Sequence, residues 1–79
     1  MSQAELINQG LILKRKNERY QAIADGKAAL RSLINDATHS QDKGIPDINS
    51  TLLQSHLTRL IEKQADIARL DAEIAELEY

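Results

Sequence analysis

The strongest constraint on this chain lies in its C-terminal third, where Leu53, Leu60, Ile67 and Ile74 recur at seven-residue intervals with Leu57, Leu70 and Leu77 beside them. From Ser50 to the last residue there is neither glycine nor proline to interrupt the pattern. Two helical turns nearly close on seven residues, so this spacing holds the apolar side chains in one stripe, the signature of a coiled-coil helix. A helix of this kind draws its stability from covering that stripe rather than from intrinsic propensity. The rest of the chain, or a second molecule, has to provide the cover.

The N-terminal half offers a partner. Ser2-Gln3-Ala4-Glu5 has the form of a capping box, in which the serine hydroxyl and the glutamate carboxylate each satisfy a free backbone N–H at a helix start. Beyond it Leu6, Leu13, Tyr20, Ile23, Leu30 and Ile34 fall at spacings of three, four or seven, and Leu11, Ile12 and Leu33 widen the same face. Gly10 and Gly26 weaken this helix by about 1 kcal/mol each relative to alanine, and Asp25-Gly26 is the place where it would bend or end. Continuity is the expectation. From Thr38 to Asn49 the helical repeat is lost, and the stretch holds the only proline, Pro46, with Gly44 before it. Pro46 does not fit inside a helix, Gly44 allows positive φ, and Asn49 or Ser50 is suited to capping the next helix.

The composition agrees with two helices. Leucine, isoleucine and alanine supply nearly all the apolar residues, while valine, phenylalanine and tryptophan are absent. The fold class expected is therefore all-α: one domain over residues 1–79, an antiparallel, coiled-coil-like two-helix hairpin with helices at 2–37 and 50–78 and a loop at 38–49. Pairing positions whose numbers sum to about 87 brings apolar residues together, Leu13 with Ile74, Tyr20 with Ile67, Leu30 with Leu57 and Ile34 with Leu53. The same register sets the basic stretch near Lys16 beside Asp66, Asp71, Glu73 and Glu76, each exposed pair being worth under about 1 kcal/mol.

The second helix carries another repeat. Ile61, Ala65, Ala68, Ala72 and Ala75 recur at helical spacing away from the leucine stripe. Small residues let another helix approach closely, so this is the candidate partner-binding stripe, for a second copy in a four-helix bundle or for a helix of another protein. Alanine is also the best intrinsic helix former and suits a solvated face, which is the competing reading.

Candidates for chemistry are few. With no cysteine and only His39 and His56, neither a disulfide nor a metal site is expected, and no cofactor or small-molecule substrate is implied. Gly26-Lys27 lacks the flanking residues of a phosphate-binding loop, and Asn49-Ser50-Thr51 fits a glycosylation sequon too short to carry weight. The N-terminus does not have the form of a secretion signal and no apolar run is long enough to span a membrane, so the expected location is cytoplasmic. One cluster remains. Lys14, Arg15, Lys16 and Arg19 place four cations within two turns, a spacing that suits a nucleic-acid phosphate backbone, although the net charge of -2 argues against binding by bulk charge. The leading expectation is a non-enzymatic interaction module, an adaptor, chaperone or inhibitor that docks a helical face on a protein partner or on itself. Nucleic-acid regulation through the basic cluster is the alternative.

Overall fold

The computed structural model describes residues 2–79. Helix α1 spans Gln3–Ser40, a single 3-10 turn spans Ile45–Asp47, and helix α2 spans Ser50–Glu78. The two helices pack antiparallel along their length, and no strand is present among the described residues. The result is the expected all-α hairpin, and it is a rod. Its Cα atoms extend over 64 × 14 × 12 Å. Its radius of gyration is 18.4 Å, against about 12 Å for a compact domain of this length.

Local chemistry explains where the helices start and stop. Ser2 Oγ accepts the Glu5 N–H at 3.2 Å while the Glu5 carboxylate accepts the Ser2 N–H at 3.4 Å, so the capping box closes in both directions. Helix α1 passes unbroken through Gly10 and Gly26, and it runs on through Thr38, His39 and Ser40, beyond the expected end at residue 37. In this added turn the side chains fold back on the helix: the Thr38 and Ser40 hydroxyls donate to the carbonyls of Ile34 and Asp36 at 2.7 Å each, and His39 Nδ1 lies 2.7 Å from the Asn35 carbonyl. These polar side chains are thus satisfied within the helix, sharing carbonyls that the backbone N–H groups four residues on also use. Gly44 does not use its freedom at positive φ: its backbone is extended at φ -65°, and Pro46 sits in the first turn of the 3-10 segment, where its missing N–H costs nothing. Asn49 caps α2, its Oδ1 accepting the Leu52 N–H at 3.0 Å.

The seam between the helices corrects one expectation. Helix α2 presents the stripe read from its sequence, with Leu70 and Ile74 buried and Leu53, Leu60, Ile67 and Leu77 half-buried. Helix α1 meets it with Ala22, Gly26 and Ala29, which are the buried residues on that helix, and with Leu11, Ile12, Ile23 and Leu33, which are half-buried. Leu13, Tyr20, Leu30 and Ile34, expected to pack against α2, instead remain 62, 78, 42 and 56% exposed. Leu57 and Leu6 are exposed as well. The register is close to the expected one, since Gly26 lies beside Lys63 and Leu60, and Arg15 beside Glu73. What differs is the rotation of α1 about its own axis. Small residues opposite large ones let the helix axes approach and the leucines of α2 fill the space, whereas pairing Tyr20 with Ile67 or Leu30 with Leu57 sets large against large and holds the helices apart.

The closeness of this seam yields a graded prediction at Gly26. A Cβ added there meets Lys63 Cβ at 3.5 Å and Leu60 Cδ1 at 3.9 Å, ordinary van der Waals contact, and at Gly10 it meets nothing within 4 Å. Gly10→Ala and Gly26→Ala should each stabilise the fold by about 0.5–1 kcal/mol in urea denaturation, through helix propensity. Gly26→Leu should instead destabilise it by roughly 1–3 kcal/mol, because the seam has no room for the extra methylenes.

Candidate functional site

The rotation of α1 gives the hairpin two unlike broad sides. On one, Arg19 pairs with Asp71, and Lys16 Nζ lies 3.1 Å from Glu78 Oε1. Stepping by seven from these residues follows the same side of each helix: Lys16, Ile23, Leu30 and Ala37 on α1, and Glu78, Asp71, Gln64 and Leu57 on α2. Tyr20 lines the shallow groove here, together with Lys16, Arg19, Asp71, Ile74 and Glu78. Outside these central rows run two more, Leu6, Leu13, Tyr20, Lys27 and Ile34 on α1 and Ile61, Ala68 and Ala75 on α2. Every residue of the outer rows is exposed.

The opposite side is polar along its middle. Its groove is lined by Glu18, Gln21, Asp25, Lys63, Asp66 and Arg69 around Ala22 and Leu70. Arg15 Nη1 pairs with Glu18 at 3.1 Å while its Nε lies 3.1 Å from Glu73 Oε2, a contact of charges rather than an aligned hydrogen bond. Lys63–Asp66 and Arg69–Glu73 pairs run along α2 itself. Exposed large apolar side chains are thus more numerous on the first side, while the second exposes Ile7 and Leu52 only toward its ends.

The candidate stripe on α2 divides between two positions. Ile61, Ala65, Ala68, Ala72 and Ala75 are all exposed, but Ile61, Ala68 and Ala75 belong to the apolar side, while Ala65 and Ala72 lie on the outer ridge in line with Thr58 and Tyr79. Sequence reading found the stripe and missed its larger companion, the row of Leu13, Tyr20 and Ile34, because it had placed those residues in the seam. It also missed the pairing of His56 with Asp36, whose Nε2 and Oδ2 lie 2.6 Å apart across the half-buried seam near the loop. The numbering alone gave little signal, since in the expected register Asp36 is level with position 51 and His56 reaches it from about a turn away.

The basic cluster changes character in three dimensions. Arg15, Lys16 and Arg19 each face a carboxylate of α2, and of the four only Lys14 lies outside the ion pairs found among the described residues. No group of three or more His, Cys, Asp or Glu side chains is placed to share a metal ion among those residues. The hollows are open grooves along the helices, and among the described residues no helix is long and apolar enough to cross a membrane. Comparison with protein-family models, with curated proteins and with solved structures found no match to the chain.

Because carboxylates of α2 already neutralise three of the four cations, the chain should not be retained on immobilised single-stranded RNA or duplex DNA at low salt. Retention that falls steeply as salt rises would restore Lys14, Arg15, Lys16 and Arg19 as a phosphate track.

Proposed function

We propose that the protein is a non-catalytic interaction module, a helical hairpin that acts as an adaptor, chaperone or inhibitor by burying its apolar side against another helical surface. The observation that carries this reading is the concentration of exposed large side chains on one side: Leu13, Tyr20, Leu30 and Ile34 on α1 with Leu57 and Ile61 on α2. Large apolar side chains gathered on one side of a protein mark an interaction surface, and helix-in-groove recognition uses anchors at such three-, four- and seven-residue spacings. The intramolecular core points the same way, for Leu70 and Ile74 are the only large side chains classed as buried among the described residues. A chain this short with so small a core gains much of its stability from association. Arg15, Lys16 and Arg19 pair with carboxylates of α2 and so help to hold the register. This arrangement supports a surface that binds by apolar contact.

The test is a double charge substitution, Leu30→Glu with Ile34→Glu, at positions that do not hold the hairpin's own seam. The complexes formed by the wild-type chain, with itself or with another protein, should be lost in the variant in native mass spectrometry, while far-UV circular dichroism retains most of the helix signal. Complexes that survive the substitution, or a wild-type chain that forms none, would contradict the proposal.

A further inference from the structure

We infer that the occupant of the apolar side is a second copy of this chain, stacked face to face about a twofold axis along the rod, so that both loops lie at the same end of a four-helix bundle. This inference rests on the docking function above and names its partner. Three observations lead to it.

The first is size. A side 64 Å long and 14 Å across in its Cα atoms offers a footprint on the order of 900 Å², close to the about 800 Å² per partner of a standard specific interface.

The second is shape. The contacts of Gly26 with Lys63 and of Arg15 with Glu73 fix the register of the hairpin, and in that register Leu13 is level with Ala75 and Tyr20 with Ala68. A twofold axis along the rod sets α1 of each copy over α2 of the other at the same height. Leu13 and Tyr20 then enter the low places left by the partner's Ala75 and Ala68, large into small at these two levels of each half of an isologous interface, while Lys27 comes level with the partner's Ile61 and lays its aliphatic stem there.

The third is charge. Toward the loop the central rows hold Ile23, Leu30 and Leu57 with one polar residue, Gln64, and toward the open end they are charged, at Lys16, Asp71 and Glu78. The axial arrangement lays Leu30 on the partner's Leu57, sets Ile23 over its uncharged Gln64, and brings Lys16 of each copy over the acidic pair of the other. A twofold axis across the rod would instead press Lys16, Asp71 and Glu78 against Leu30 and Leu57, stripping charges of water with no partner gained.

Sedimentation of the purified full chain tests association, and a nitroxide on Lys43→Cys, in a chain with no other cysteine, tests arrangement. The expected mass at tens of micromolar is twice 8.8 kDa, with inter-label distances within about 30 Å, as loops at one end of packed helices require. Ala68→Glu should raise the dissociation constant at least about tenfold, whereas Ala72→Glu, on the outer ridge, should change it by no more than about twofold. A dimer with labels near the full 64 Å apart would overturn the axial arrangement, and equal sensitivity at Ala68 and Ala72 would overturn the face. A monomer overturns the second copy. If that monomer still forms a complex with another protein that Leu30→Glu with Ile34→Glu abolishes, the docking function stands without self-association; if it forms none, both fall.

Discussion

Two long helices share a seam only as closely as the side chains between them allow. Here the distance is set by Ala22, Gly26 and Ala29, which bring the α1 backbone down onto the leucines of α2. Most of the rest follows from that approach. With its small residues committed to the seam, α1 has to turn Leu13, Tyr20, Leu30 and Ile34 elsewhere, and helical periodicity collects them on one side. The same rotation brings Arg15, Arg19 and Asp36 to the margins of α2, where Glu73, Asp71 and His56 meet them. The ion pairs are individually weak, being partly exposed, and their worth lies in excluding registers that set like charges together.

Much of this was legible in the sequence, and the part that was not has a physical reason. The capping box at Ser2 and Glu5, the break around Pro46, the Asn49 cap and the heptad of α2 are local or one-helix patterns, and each appears in the structure where its chemistry places it. The rotation of α1 is different, because that helix carries two readable faces, one of large apolar residues and one of alanine and glycine. Hydrophobicity favours the large face as core, whereas the distance between helix axes favours the small one. Nothing within α1 ranks the two. The end of α1 was misplaced because Thr38, His39 and Ser40 are poor helix formers by propensity, yet their backbone continues the helix with the side chains folded back on the carbonyls of Ile34, Asn35 and Asp36. The candidate stripe at Ile61, Ala68 and Ala75 was visible, but its role as one edge of a wider apolar side depends on where α1 points.

The two sides of the rod divide the work of a small protein. The side of Glu18, Asp25, Asp66 and Arg69 is polar along its middle, and the side of Tyr20, Leu30 and Ile61 is the one to which the proposed function assigns an apolar partner. The middle of the seam sets small residues of α1 against large ones of α2, with Leu11, Ile12, Ile23 and Leu33 half-buried beside them, and leaves Leu13, Tyr20 and Ile34 outside it.

The rotation of α1 is the point on which everything turns, and a pair of engineered cysteines reads it directly. The Cβ positions at Gly26 and Lys63 are 3.5 Å apart, within the range a disulfide spans. Gly26→Cys with Lys63→Cys should oxidise to an intramolecular disulfide under mild conditions, while Tyr20→Cys with Ile67→Cys should remain reduced, because Tyr20 faces away from α2. Ready closure of the second pair with failure of the first would show that the large face of α1 forms the seam, and would contradict the account.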